Sequence, residues 1–302
     1  MSADGGIDVS IAVVAYRVRD ELDRCLNSLE AALGRLSAEI TVVDNSPDML
    51  TWRYLGTRSG VRRLRGSASL GFGAGCNLAL EGAAGRHFLI LNPDTLLPPD
   101  GLRLLVAELD GEPEIGIVGP KLIREDGEPD PAARRGFPTP WSALARFARL
   151  GRVFPGRRFS GGYNLGYQNP DERAEVDAVS GAFMLIRGEL FRNLGGFDRR
   201  FWMYGEDLDL AYRAKAAGWK VVYQPAVTVV HAKRSSSAQR PLRTRVEFYR
   251  AMGLFYRKHE AAGRPAALNA LVMAGIFGLG AGAVLYELLR RGRDPSGASV
   301  AQ

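Results

Sequence analysis

Two cysteines, Cys25 and Cys76, are all that the 302-residue chain carries, and they lie in separate apolar stretches with no second thiol nearby. That scarcity excludes a disulfide scaffold and a cysteine-based zinc centre, and it fits a reducing compartment. An apolar run of signal length is missing behind Met1, where Asp4 and Asp8 interrupt the start, so the sequence predicts a protein that is not exported. Internal repeats and low-complexity tracts are absent too. What remains is ordinary globular material: 46% apolar and 24% charged residues, which excludes disordered, collagen-like and coiled-coil classes. The length allows one large domain or two modest ones.

Forty Lys and Arg against 33 Asp and Glu give a net charge of +7. A nucleic-acid binder would spread this excess over its surface, but seven arginines fall between Arg134 and Arg158 with no acid among them, equal to the net charge of the whole chain. Wound as a helix, Trp141, Leu144, Phe147, Ala148, Leu150 and Phe154 share one half and Arg146, Arg149 and Arg152 the other, so the segment predicts either a solvated face or a membrane-surface helix. Ala266 to Tyr286 contains no charge and one strongly polar residue, Asn269, and is flanked by Arg257, Lys258 and Arg264 on one side and Arg290, Arg291 and Arg293 on the other. Its length is just enough to span a bilayer, although Gly275, Gly278, Gly280 and Gly282 weaken it as a helix. Both elements point to an anionic membrane surface as partner rather than to nucleic acid.

Apolar runs of strand length alternate with helical periodicity through the first half of the chain. Val9–Ala15, Glu39–Val43, Val61–Leu64, His87–Leu91 and Ile115–Val118 predict strands; Arg19–Leu33, Asn77–Ala84 and Asp100–Leu109 predict helices. Uninterrupted apolar strands in βα repeats imply a mainly parallel sheet covered by helices on both faces, with ligands at the carboxyl ends of the strands. Residues from about 125 to 176, with seven glycines and six prolines, read as an irregular basic insert. Beyond it, Val179–Ile186 predicts a strand, Asp207–Ala217 a helix, Trp219–Tyr223 and Val227–Val230 two short strands, and Leu242–His259 a helix leading into the apolar tail.

Polar clusters gather where the predicted strands end. Asp44-Asn45-Ser46 is either a turn or a carboxylate placed for a base or ribose. Gly71-Phe-Gly73-Ala-Gly75-Cys-Asn77 brings bare backbone to a helix start, where a phosphate can approach; the nicotinamide fingerprint fails there because its third glycine falls at Cys76. Asn92-Pro93-Asp94 is either an N-cap or a ligand for Mg²⁺ or Mn²⁺ on a diphosphate. Tyr204-Gly205-Glu206-Asp207-Leu208-Asp209 opens a helix with three acids, which either serve the helix dipole or repel one another until one becomes a base of raised pKa. His231, one of three histidines, ends the last predicted strand.

The ordered series Val-Val-Ala-Tyr16, Val-Val-Asp44-Asn45-Ser46, Gly71–Asn77, Leu-Asn92-Pro93-Asp94, Ser180-Gly181-Ala182, Gly195-Gly196-Phe197-Asp198, Tyr204-Gly-Glu206-Asp207-Leu-Asp209 with Arg213, and His231 resembles the family 2 glycosyltransferases of GT-A fold, especially their rhamnosyltransferase-like branch. The resemblance covers about residues 8 to 235. It implies inverting transfer from a nucleoside-diphosphate sugar. Tyr16, Asp44, Asn45, Ser46, Gly71, Gly73, Asn77, Asn92 and Asp94 would then lie on the donor side, and Ser180, Gly181, Trp202 and Tyr204 on the acceptor side. Asp94 and His231 would hold Mg²⁺ or Mn²⁺, Asp207 would be the base, and Glu206 and Asp209 would tune it.

Ser69, Arg199 and Gly205 depart from the family pattern at positions that bear on the acceptor. A single carboxylate in Asn92-Pro-Asp94 predicts modest metal affinity. The sequence therefore predicts a GT-A domain over residues 1–240 and a helical, apolar, membrane-associated tail over 241–302, working at the cytoplasmic face of the membrane. The expected donor is a dTDP-deoxysugar such as dTDP-rhamnose, and the expected acceptor a lipid-linked saccharide in surface-polysaccharide synthesis. The alternatives are a UDP- or GDP-sugar transferase with a soluble acceptor, a non-catalytic nucleotide-sugar-binding tether and, more distantly, a nicotinamide oxidoreductase.

Overall fold

β-Branched and aliphatic residues fill Val9–Ala15 (β1) apart from Ser10, and every one of the seven is buried. A strand apolar on both faces needs cover on both, and the computed structural model, which describes residues 6–67, 69–140, 163–232 and 241–293, supplies it. Two compact units are present: residues 1–202 with 206–235, and residues 203–205 with 236–302.

In the first unit β1 pairs in parallel with Ala38–Asp44 (β2) and with His87–Leu91 (β4), and Val61–Arg65 (β3) pairs in parallel with β2. The register sets Ala15 against Asp44 and Val13 against Leu91, so the residues that follow β1, β2 and β4 emerge along one edge. Helix Arg19–Leu33 (α1) carries Asp20 and Glu21 in its first turn, where the dipole favours acids, and buries Leu22, Cys25, Leu26 and Leu29. It packs on Leu50–Thr57 (α2) and Gly101–Gly111 (α4). Phe72–Ala79 (α3) and Gly188–Asn193 (α5) meet instead in an aromatic cluster in which Phe191 lies edge-on to both Phe88 and Phe197.

Beyond β4 the sheet becomes mixed. Phe183–Arg187 (β10) runs antiparallel to β4 and to Ile115–Ile123 (β6). The order is β3-β2-β1-β4-β10-β6-β11-β5, where β5 is Thr95–Leu96 and β11 is Lys220–His231; Ala174–Glu175 (β8) adds to β11. Arg134–Arg135 (β7) and Ala178–Val179 (β9) form a separate two-stranded ribbon. The two short strands expected around Gln224-Pro225 are one strand with a register slip: Gln224 lies opposite Pro120 and Thr228 opposite Lys121. Pro225 has no N–H for a ladder, so the pairing breaks there and resumes.

Helix Glu206–Ala216 (α6) completes the first unit. The second is a hairpin of Pro241–Phe255 (α7) and Ala266–Arg293 (α8), joined by a wide turn at Tyr256–Glu260. The basic amphipathic stretch expected at Trp141–Phe154 lies outside the described residues.

Candidate active site

At the end of β2, Asp44 is fully buried. Its Oδ1 accepts from the Ser46 amide at 2.9 Å, the bond of the turn that was one of the two readings of this cluster, and its Oδ2 takes an ion pair from Arg65 Nη1 at 2.5 Å. Arg65 also donates to the Ser46 and Asp48 carbonyls, and Ser46 Oγ accepts from the Arg17 amide, so the edge beside Tyr16 is tightly tied. Asn45 Oδ1 is buried without a partner. Arg65 was not foreseen, yet the parallel register that sets it opposite Asp44 is the signal that finds it.

The glycine loop differs from the expected open cradle. A Cβ on Gly71, whose φ is +81°, would sit 2.4 Å from the Trp202 carbonyl, one on Gly73 3.0 Å from Phe197 Cβ, and one on Gly75 2.8 Å from Val14 Cγ2. These glycines let α3 dock closely against β1 and the 197–202 loop. Trp202 fastens the loop twice, donating from Nε1 to the Ser69 carbonyl and accepting from the Phe72 amide. Asn77 clamps the Phe197 peptide, donating to its carbonyl and accepting from its amide, both at 2.8 Å. The loop and Asn77 therefore hold the Gly195-Gly196-Phe197 turn in place.

Asp94 and His231 meet because β5 and β11 pair with His231 opposite Thr95. His231 Nε2 lies 3.4 Å from Asp94 Oδ1 and 3.4 Å from Asn92 Nδ2, while Nδ1 faces Asp130 Oδ2 at 3.2 Å. Burial pushes the imidazole pKa down, but Asp130 and Asp94 outweigh it and bring it up to about 9. Asp94 Oδ2 is buried with no partner. Among the described residues no group of three or more His, Cys, Asp or Glu forms a metal cage. The donor set fits a divalent cation that displaces the Nε2 proton of His231: an orphaned carboxylate oxygen, the imidazole nitrogen so freed beside it, and Asp130 on the opposite ring nitrogen, as an orienting carboxylate stands behind a metal-bound histidine. Asp130 gave no signal in sequence, since it lies in the irregular insert.

The three acids opening α6 separate. Asp209 is fully buried and paired with Arg213 Nε at 2.8 Å, and Arg213 also donates to the Leu194 and Gly196 carbonyls. Asp207 Oδ2 accepts from Arg135 Nη2 at 2.5 Å and from the Gly181 amide at 2.9 Å, while Oδ1 accepts from the Leu208 amide. Ser180 Oγ accepts from the Ala182 amide and Asn92 donates its amide to the Ala182 carbonyl, which joins this turn to the Asp94 edge. Glu206 Oε2 is buried without a partner; burial first, and then the charge of Asp207, push its pKa up to about 8. The acid of raised pKa in this cluster is therefore Glu206, one of the two residues expected to tune the base, and not Asp207, the residue expected to be that base. Tyr204 belongs to the second unit, where its ring stands edge-on to Phe248 at 5.8 Å.

The sheet and its strand-end acids define the class: a nucleotide-sugar-dependent glycosyltransferase with the GT-A fold. Within that class the family is shown directly, since the model for "Glycosyltransferase like family 2" matches residues 6–245, and the chain belongs to that family. It is 32% identical over 249 residues to an N-acetylglucosaminyl-diphospho-decaprenol L-rhamnosyltransferase of Mycobacterium tuberculosis, covering 76% of this chain and 78% of that one. It is 26% identical to rhamnosyltransferase WbbL of Escherichia coli, covering 74% and 83%. The mannosyltransferase PcManGT of Pyrobaculum calidifontis, solved with GDP-Man and Mn²⁺, superposes with a TM-score of 0.54 at 18% identity, over 97% of this chain and 76% of that one.

Proposed function

We propose that this glycosyltransferase moves a deoxyhexose, rhamnose, from a dTDP donor to a lipid-linked saccharide, with inversion at the anomeric carbon, at the cytoplasmic face of a membrane. The observation that carries the chemistry is the fixation of Asp207 by Arg135 and the Gly181 amide through one oxygen, which leaves Oδ1 with a single accepted bond. A carboxylate so held takes the proton of the acceptor hydroxyl as that oxygen bonds to the anomeric carbon and the bond from this carbon to the diphosphate breaks. The nucleoside diphosphate leaves with the electron pair. Glu206, largely protonated at neutral pH, keeps a second negative charge away from Asp207. On the donor side, Tyr16 and the Asp44–Ser46 turn frame the base, and Asp94 and His231 face the diphosphate. A divalent cation held there, when bound, neutralises charge on the departing diphosphate.

The rhamnosyl donor and lipid-linked acceptor are supported by the likeness to the mycobacterial and E. coli rhamnosyltransferases. Membrane association is supported by α8, which is long and apolar enough to cross a bilayer. The test is a thermal-shift and transfer screen with dTDP-, UDP- and GDP-sugars, each with and without Mn²⁺. A dTDP-sugar at 100 times its Kd stabilises the fold by about 2.7 kcal/mol, and dTDP-rhamnose labels a polyprenyl-diphosphate-GlcNAc acceptor. Stabilisation and turnover only with UDP- or GDP-sugars would reassign the donor.

A further inference from the structure

Among the described residues α8 alone has the length and composition of a membrane span, with a mean hydropathy of 1.9 over its apolar window. Its packing partner decides how it can meet a bilayer. Arg245 pairs with Glu287 at 3.0 Å, a Cβ on Gly280 would touch Tyr249, one on Gly253 would touch Met273, and Tyr256 donates its hydroxyl to Asn269 Oδ1 at 2.6 Å. As the α7 number rises from 245 to 256 the α8 number falls from 287 to 269, so the two helices run antiparallel side by side over most of their length.

Level with the middle of α8, α7 carries Glu247 and Arg250, paired at 3.1 Å, and the Arg250 side chain is 57% exposed. If α8 stood across a bilayer, this exposed guanidinium would ride at the centre of the hydrocarbon, where an ionic group is rare unless it faces a protein interior or a water-filled cavity. The closed hairpin and a transmembrane α8 are therefore incompatible.

Lying flat, the hairpin has no such conflict. The side of α8 that faces α7 holds Asn269, Met273, Ile276, Gly280 and Glu287, at alternating spacings of three, four and seven residues. The opposite side presents Leu271, Leu285 and Leu289, exposed by 70, 57 and 60%. Asn269, the one strongly polar residue of the apolar run, donates from Nδ2 to the Ala261 carbonyl and so closes the turn rather than facing outward. Residues 241–293 hold nine Lys and Arg against three Asp and Glu. Each of the three acids has an arginine partner: Glu247 with Arg250, Glu260 with Arg264 and Glu287 with Arg245. The net positive charge of the segment matches anionic headgroups.

We propose that α7 and α8 form a monotopic foot, which rests in the plane of an anionic bilayer interface with the outer face of α8 among the acyl chains and α7 toward the headgroups, and which does not cross the membrane. This rests on the membrane-bound reading above, and the test separates the two. The full chain, expressed in a bacterial host with Ala262→Cys in the turn before α8 or Arg290→Cys near its far end, is exposed to a membrane-impermeant maleimide in inside-out and right-side-out vesicles. The native Cys25 and Cys76 are buried and contribute little background. Both introduced thiols are expected to label in inside-out vesicles, to extents within about twofold and with no gain on adding detergent, and neither in right-side-out vesicles. Labelling of the two ends from opposite sides would overturn the in-plane foot while leaving membrane association standing. Protein that fails to sediment with vesicles would overturn both readings.

Discussion

Along the edge formed by β1, β2 and β4, each polar site residue follows directly on a buried apolar strand: Tyr16 after Ala15, Asn92 after Leu91, and Asp44 as the last residue of its own strand. Around His231 and Asp207 the essential partners come from the insert far away in sequence, Asp130 from irregular chain and Arg135 from the two-residue strand β7. Asp130 reaches His231 across 101 residues and Arg135 reaches Asp207 across 72. A regular element delivers a side chain by register, so its function is set locally. Irregular chain delivers one through a tertiary hydrogen bond or ion pair, so its function depends on both ends. The first edge should then fail residue by residue, and the second pair by pair.

The largest expected effect lies in the α6 acids. Asp207→Asn keeps the shape and removes proton acceptance, so kcat should fall by roughly 10²–10⁴ with donor binding nearly unchanged. Steady-state kinetics beside the Glu206→Gln variant sharpen the contrast: a larger loss in Glu206→Gln would move the base one residue toward the N-terminus. A smaller effect is expected behind the cation ligands. Asp130→Asn leaves Asp94 and His231 in place, and the Mn²⁺ concentration for half-maximal activity should rise by about 10–100-fold, as for other orienting partners of metal ligands. An unchanged metal requirement would make Asp130 a fold residue only, and would break the pairwise account.

The smallest effect is on stability against pH. The Glu206 carboxyl is raised from 4.5 to about 8, so the folded chain keeps a proton that the unfolded chain has released. The stabilisation from this group is complete below about pH 4.5 and is lost as pH rises through about 8. The wild-type Tm should therefore fall more steeply between about pH 5 and 8 than that of Glu206→Gln, by calorimetry in matched buffers. Parallel slopes would show that the neutral carboxyl adds nothing.

Much of this was legible in the sequence, for a physical reason that also marks where legibility ends. β1 and β4 are apolar apart from Ser10 and His87, β2 carries the buried pair Val42-Val43 just before Asp44, and the polar residues at their ends are conspicuous by contrast. α2 was not foreseen, because it is eight residues long and buries only Thr51 and Leu55, too few to set a period. Pro225 suggested two strands where one continues past a slip. The glycine loop looked like a phosphate cradle because sequence shows an absent side chain and not what fills the space, here Trp202, Phe197 and Val14. Asp209 was grouped with Glu206 and Asp207 by proximity in the chain, but its ion pair is with Arg213, one helical turn further on.

The slip in β11 loosens the tie between chain length and the placement of the metal-facing residues. Three residues, 225–227, stand between positions whose partners Pro120 and Lys121 are adjacent. Side chains in a strand alternate between faces, so an odd surplus reverses the alternation for everything downstream. While the pairs Thr228–Lys121, Val229–Leu122 and Val230–Ile123 hold, a change in the length of this stretch is taken up by the bulge and His231 stays beside Asp94. If the change instead slides those pairs by one residue, His231 turns to the far face of the sheet. The three residues thus act as slack that separates the phase of the upstream strand from the phase that places His231.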